Sequence, residues 1–449
     1  MRRRFHISKL RVAVVGAGPA GFYTLDALLR AEVPVEIDLI DRLPTPFGLV
    51  RGGVAPDHQH TKAVERTFEA LLERPEVRFW GGVEVGRDIH LAELRGLYDA
   101  VVLTTGAPRD RRLGIAGEEL EGVYGSAAFV GWYNGHPDLQ ELEPPLDGRP
   151  AIVVGNGNVA LDIARVLLKT PEEMAESDLT EEAATRIAAN PPASVTILGR
   201  RGPLQARFTP AELRELGELR IGPPAIVQGP GLPALPADAS VLDDTRERRR
   251  AERILAILKG YEKTPVAEAR LLFRFFTRPL AALGEERIEA LRCQLTALDE
   301  EGHLQDIGEP FELPCGLLVT AIGYVSEAIE GAPFDPGRGR YRAQRPPRLE
   351  PGLYAAGWCL RGPSGVIGSN KHDGDAVAAA ILAEVKPAAK PGRLGLHGIL
   401  TGRRRAWIDR EGWRAIDRAE RAAAKPPAPR RKFTTYEALH QAAREAEQE

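Results

Sequence analysis

Two glycine-rich turns carry the residues whose types and spacing can do chemistry. In Gly16-Ala-Gly-Pro-Ala-Gly21 the first glycine permits a tight turn, Gly18 lets backbone approach a pyrophosphate, and Gly21 lets a helix pack closely on a strand. Phosphates then sit at a helix N-terminus, where free N–H groups and the dipole favour negative charge. Asp41 follows about 20 residues later, where an acidic side chain can accept from a ribose hydroxyl. The second turn places Gly155, Gly157 and Ala160 in the same three positions, but its returning strand ends in Gly199-Arg-Arg-Gly202 with no acid. A 2'-phosphate is repelled by a carboxylate and held by guanidinium groups, so Arg200 and Arg201 form a candidate phosphate clamp. One turn ending in Asp and one in Arg-Arg points to FAD in the first and NADP in the second, with hydride transfer between them as the natural chemistry. The bland alternatives are a glycine-rich packing turn and a solvated arginine pair.

The flanking sequence supplies the elements such turns need. Residues 10–15 form a β-branched run, 22–30 have helical periodicity, and 35–40 return to strand character. The second unit runs from a strand at 151–154 through a helix at 159–168 to a strand at 194–198, with an acidic helical insertion over 169–192. Residues 223–236 read as a Pro/Gly loop, and 243–259 as a charged helix containing Arg246, Arg248, Arg249, Arg250 and Arg253. A strand at 317–322, a strand and turn at 352–357, and a helix at 373–384 follow. Beyond residue 386 the composition shifts to Pro, Arg and Ala, with helical stretches at 407–424 and 436–447. The fold class is therefore α/β with two Rossmann-like dinucleotide-binding units.

Composition bounds the function. With 449 residues, 43% hydrophobic and 27% charged, the chain can bury sizeable cores and form two or three domains. Its 60 basic and 63 acidic residues give a net charge of -3, so no whole-chain field favours nucleic acid. Cys293, Cys315 and Cys359 lie too far apart for a CxxC redox pair, and three thiols cannot build an in-chain iron-sulfur cluster. They read as reduced, mostly buried thiols of a cytoplasmic protein. No apolar run has the length of a membrane span, and Arg2, Arg3 and Arg4 precede strand-like sequence too closely for a targeting peptide.

Further motifs give a resemblance. Pro44-Thr-Pro-Phe-Gly-Leu-Val-Arg51, Val54-Ala-Pro-Asp-His58, Gly155-Asn-Gly-Asn-Val-Ala-Leu-Asp162, Gly199-Arg-Arg-Gly-Pro-Leu-Gln205 and Gly357-Trp358 with Arg361-Gly-Pro-Ser-Gly-Val-Ile367 occur in this order. The chain resembles the adrenodoxin reductase type of ferredoxin-NADP reductase in its bacterial form, over about residues 10–385. The resemblance implies a glutathione-reductase-like arrangement, with a FAD domain at 1–108 and 325–449 and an inserted NADP domain at 109–324. It also implies that NADPH reduces flavin and that flavin passes single electrons to a separate ferredoxin-like iron-sulfur protein. By position, Ala17, Asp41, Leu49, Val85, Trp358, Gly365, Val366 and Ile367 would contact FAD. Arg111, Asn156, Gly157, Asn158, Val159, Arg200, Arg201 and Glu212 would contact NADP. The amides of residues 365–367 would face the pyrimidine end of the flavin and stabilise negative charge there. His58 and Glu215 correspond to a pair near flavin and nicotinamide, with positioning or proton-handling roles. Without the resemblance they read as a loop histidine and part of a solvated helix face. Asp41 departs from the family's usual glutamate and shortens the reach to the ribose.

An iron-sulfur partner of this class is usually acidic, so Arg246, Arg249, Arg250 and Arg253 are candidate docking residues on an otherwise near-neutral chain. The competing readings are a flavin-dependent monooxygenase and a non-catalytic FAD/NADP redox sensor. Residues 129–136 have a monooxygenase-like look, but their Gly-to-His spacing is one residue too long. A disulfide reductase is disfavoured because no cysteines are paired in sequence.

Overall fold

The computed structural model describes residues 9–228 and 234–445. The arginines at 2–4, part of the Pro/Gly loop at 223–236 and the end of the helix expected at 436–447 lie outside the described residues. The chain divides into two compact units. The first draws on Met1–Arg109, Asn134–Gln140 and Tyr324–Glu449, the second on Asp110–Tyr133 and Glu141–Gly323.

In the first unit, strand Leu10–Val15 lies between Val35–Asp41 and Ala100–Leu103, all parallel. The six-stranded order is Arg348–Glu350, Leu353–Ala355, Ala100–Leu103, Leu10–Val15, Val35–Asp41, Val77–Gly81, and only the first strand runs antiparallel. Both faces are buried, which is why these strands read as nearly continuous apolar runs. Val12, Val14, Ile37 and Leu39 meet Phe22 and Leu25 of helix Pro19–Arg30 on one face. Ala13, Val15, Val101 and Leu103 meet Leu94, Tyr98 and Leu353 on the other. Pro19 opens its helix with a preset φ and no N–H to leave unpaired. Helix Asn370–Glu384 packs against it at Gly374, where a Cβ would strike the Tyr23 carbonyl.

In the second unit the six-stranded order is Val123–Gly125, Leu317–Thr320, Ala151–Val154, Val195–Leu198, Leu271–Arg274, Ala225–Ile226, all parallel. Strands Thr277–Leu283, Ala290–Leu298 and Leu304–Pro314 form a separate antiparallel sheet. The acidic insertion is helical only over Glu181–Ala189, and Ala183, Ile187 and Met174 join the core of this unit. Its Glu173 accepts from the Arg220 amide at 3.0 Å, so the insertion is a buttress for the turn after helix Pro210–Glu215. Among the described residues no helix is long and apolar enough to cross a membrane.

Candidate functional sites in the two glycine turns

The first turn divides its labour among three glycines. Gly16 has φ +113°, and a Cβ there would strike the Thr104 carbonyl, so only glycine lets the two strand ends come this close. A Cβ on Gly21 would run into the carbonyl oxygen of Gly16. Gly18, by contrast, has nothing within 4 Å of the place a Cβ would take, and its φ is an ordinary -89°. That open cradle at a helix N-terminus fits a pyrophosphate.

Asp41 ends its strand with each carboxylate oxygen bound to backbone. Oδ2 accepts from Ala17 N–H at 2.6 Å and Oδ1 from Leu43 N–H at 2.8 Å. Burial pushes its pKa up, and these two amides pull it back. Each oxygen keeps a lone pair for a ribose hydroxyl. The loop at residues 44–51 lies on the turn: Phe47 N–H donates to the Ala17 carbonyl at 2.7 Å, and a Cβ on Gly48 would crowd Gly18. Leu49, at the start of the short helix Leu49–Gly52, is 45% exposed. Val85 is half-buried and packs against the core of this unit, and its neighbour Glu84 lines a cavity of about 490 Å³ together with Arg42, Gly82, Arg87, Asp138, Tyr436 and His440.

Elsewhere in this unit Trp358 donates its indole N–H to the Ser364 carbonyl at 3.1 Å and stacks on Tyr324 with ring centroids 5.8 Å apart. Arg361 holds the same loop through Asp373 at 2.9 Å, Asn370 at 3.1 Å and the Ser364 carbonyl. Gly365 has φ +83°, and Val366 beside it is 68% exposed. Of the three amides expected at the flavin, that of Val366 is already committed to Ser369 Oγ at 3.0 Å. Ile367 opens a single 3-10 turn, Ile367–Ser369. His58 is buried, and its carbonyl accepts from the Thr61 and Lys62 amides of the short helix Gln59–Lys62 at 3.0 and 3.2 Å.

The second turn repeats the pattern. Gly155 has φ +144° and a Cβ there would strike the Ala321 carbonyl, whereas Gly157 is open at φ -120°. Ala160 is fully buried, so the third position here accepts a methyl. Asn156 packs its amide against Gly199, and its carbonyl accepts from Arg207 and Phe208 at 2.6 and 3.2 Å. Its side-chain Oδ1 is buried without a hydrogen-bond partner, a polar site suited to a ligand donor. Asn158 Oδ1 accepts from Thr209 N–H at 2.8 Å, and Val159 follows it half-buried. The residues present fit a dinucleotide at both turns.

Arg200 and Arg201 expose their side chains while their carbonyls accept from Thr296 Oγ1 at 2.8 Å and Phe276 N–H at 3.3 Å. Fixed backbone with free guanidinium groups is the arrangement a phosphate clamp requires. Arg111 is exposed, and its N–H donates to the Gly323 carbonyl. Glu212 and Glu215 lie on helix Pro210–Glu215, capped by Thr209. Sequence reasoning missed what stands behind them: Arg165, fully buried, reaches Asp162 at 2.9 Å and both Glu212 and Glu215 at 3.7 Å. The i,i+3 pairing of Asp162 with Arg165 was the available signal.

The arginine-rich helix is Thr245–Tyr261. Arg250 donates to the carbonyls of Ala206 and Phe208, and Arg248 to that of Leu242. Arg250 is therefore committed to its own unit, and Arg246, Arg249 and Arg253 remain exposed.

The family model for pyridine nucleotide-disulphide oxidoreductases matches residues 10–218. A mitochondrial NADPH:adrenodoxin oxidoreductase of Arabidopsis thaliana is 38% identical over 97% of this chain and 95% of its own length. The NADPH-ferredoxin reductase FprA of Mycobacterium leprae is 37% identical over 92% and 94%. The structure of Mycobacterium tuberculosis FprA in complex with NADPH aligns with a TM-score of 0.88 at 35% identity, covering 97% of this chain and 99% of that one. With two dinucleotide turns in register and relatives aligned over nearly their whole length, the chain belongs to the family of NADPH:adrenodoxin oxidoreductases and NADPH-ferredoxin reductases.

Proposed function

We propose that this chain is a FAD-dependent ferredoxin-NADP+ reductase that moves electrons between NADPH and a separate ferredoxin-like iron-sulfur protein. The observation that carries the reading is the pair of matched turns, each with one open glycine, one ending in Asp41 and the other in the exposed Arg200 and Arg201. When bound, FAD supplies the conversion between two-electron exchange with a nicotinamide and one-electron delivery to iron-sulfur centres.

The first unit holds FAD. Gly16, Ala17, Gly18 and Gly21 take its phosphates, Asp41 and Val85 its adenosine, and Leu49, Trp358, Gly365, Val366 and Ile367 its flavin end. The second unit holds NADP through Asn156, Gly157, Asn158 and Val159 at the phosphates, with Arg200, Arg201, Arg111 and Glu212 around them. The FAD domain then comprises residues 1–108 and 325–449, and the NADP domain residues 109–324 apart from the short stretch Asn134–Gln140, which belongs to the first unit. His58 and Glu215 act in positioning and in holding protons. Arg246, Arg249 and Arg253 offer an acidic ferredoxin a basic surface, supported by their exposure. The buried thiols of Cys293, Cys315 and Cys359 suit the reducing cytoplasm.

The test is NADPH-driven reduction of a purified ferredoxin, followed through cytochrome c. Reduction that requires both this protein and the ferredoxin supports the reading. Oxygenation of an added organic substrate without ferredoxin reduction would replace it with a monooxygenase, and no NADPH turnover at all would replace it with a redox sensor.

A further inference from the structure

The segment after residue 386 has no part in either glycine turn, yet it contributes a buried charge with four hydrogen-bond donors to the first unit. Glu420, on helix Arg410–Ala422, is 0% exposed. Its Oε1 accepts from Arg51 Nη2 at 2.5 Å and from Phe433 N–H at 2.8 Å. Its Oε2 accepts from Arg51 Nη1 at 2.9 Å and Arg430 Nη1 at 3.3 Å. Arg430 also pairs with Asp417 at 2.9 Å and Glu65 at 3.4 Å, and Lys432 donates to the Arg51 carbonyl at 3.3 Å and to Asn134 at 3.1 Å. About two turns earlier on the same helix, Trp413 lies under the Arg51 guanidinium at 5.6 Å and edge-on to Phe47 at 5.5 Å.

These bonds converge on one loop. Arg51 belongs to helix Leu49–Gly52, and the residues just before it, Phe47 and Gly48, sit directly on Ala17 and Gly18. Phe47 holds φ +82°, a conformation costly for a side chain with a Cβ, which persists only where its surroundings impose it. A buried carboxylate is expensive to desolvate and is weak evidence for stability as such. A two-point grip on Arg51, by a carboxylate that Phe433 N–H and Arg430 hold in place, does fix the position of the backbone that follows Gly48.

We propose that Glu420 is a positioning residue for the FAD site: through Arg51 it clamps the loop at residues 44–51 over the Ala17–Gly18 turn and so retains the flavin. The proposal rests on the assignment of FAD to the first unit. Glu420 is 0% exposed and the four hydrogen bonds its carboxylate accepts come from protein groups, so its effect is read in flavin retention and not in the chemistry.

The experiment uses the full chain purified with FAD and follows recovery of free-flavin fluorescence after dilution. If the wild-type chain takes up no FAD, the assignment of the unit fails and the clamp falls with it. Given a loaded wild type, Glu420→Gln is expected to release FAD about tenfold faster or more, the ratio that corresponds to losing one strong charge-assisted contact. The double variant Arg51→Met with Glu420→Met removes the unpaired charge, so its melting temperature should lie above that of Glu420→Gln, while release stays fast. Recovery of slow release in the double variant would overturn the proposal, because the grip would then be dispensable. Should the double variant not fold, Arg51→Lys, which keeps the charge and loses the two-point geometry, carries the same test. Release from it within about twofold of wild type would be equally fatal.

Discussion

Asp41 accepts a hydrogen bond from Ala17 N–H at 2.6 Å, so the acid expected to meet a ribose also holds the first glycine turn. The shorter side chain, one methylene less than glutamate, suits this second task because it reaches Ala17 and Leu43 together. Asp41→Asn puts an amide N–H against one of these donors and should cost the FAD-free protein about 1–3 kcal/mol, besides weakening FAD binding. Thermal unfolding of the stripped protein checks this. A variant that loses affinity at unchanged stability would return Asp41 to a ribose ligand alone.

The glycines separate fold from binding. Gly18→Ala and Gly157→Ala meet open space at ordinary φ, so each should change stability by less than about 1 kcal/mol while weakening FAD and NADPH respectively by about tenfold or more. Gly21→Ala drives its methyl into the Gly16 carbonyl and should cost about 1–3 kcal/mol before any ligand is added. Melting curves and equilibrium titrations on the three variants distinguish the two classes.

Two groups of the first unit, one buried and one half-buried, should tilt stability in opposite directions with pH. Burial raises the Asp38 carboxyl from 3.8 to about 6, against the pull of Arg393, Trp80 and Tyr98. The folded state therefore binds the proton more tightly, and this contribution is full below pH 4 and lost as pH rises to 6, by at most about 3 kcal/mol. Burial and Arg42 lower His136 to about 4, despite Asp138, so its contribution is full above 6.5 and lost as pH falls toward 4. Measured against wild type between pH 4 and 6.5, Asp38→Asn should gain stability as pH rises and His136→Gln as pH falls. Parallel slopes would contradict both assignments.

Arg165 has its side chain 1% exposed, and the carboxylates of Asp162, Glu212 and Glu215 converge on it. Arg165→Met leaves those charges without their cation and should destabilise the protein by about 3–5 kcal/mol. The exposed pair Arg30–Asp26 provides the comparison: Asp26→Asn should cost less than about 1 kcal/mol. Similar losses in chemical denaturation would mean that Arg165 is no more than a surface partner.

The parallel strands and both glycine turns were legible because a strand buried on two faces leaves an unbroken β-branched run, and a pyrophosphate turn admits few residues. The antiparallel sheet at 277–314 was not, because its outer strand carries Asp306, Glu309 and Glu312 three residues apart and lacks the period-2 alternation that marks a strand. The arginine cluster was legible as composition only; which arginine serves its own fold depends on the carbonyls of Ala206 and Phe208, brought near by tertiary packing. The roles of Arg165 and Glu420 were hidden for the same reason. Arg51 and Glu420 are 369 residues apart, and nothing local in either stretch marks the pairing.

The central claim is a flavoprotein whose second turn selects the 2'-phosphate. The most direct measurement is anaerobic mixing of the FAD-loaded protein with NADPH or with NADH, recording the rate of flavin bleaching for wild type and for Arg200→Ser with Arg201→Ser. The account predicts bleaching by NADPH about a hundredfold faster than by NADH in the wild type, and a preference largely lost in the double variant, as expected for removing two charge-assisted contacts. Equal rates with the two nucleotides would contradict the clamp, and no bleaching by either would contradict the reductase.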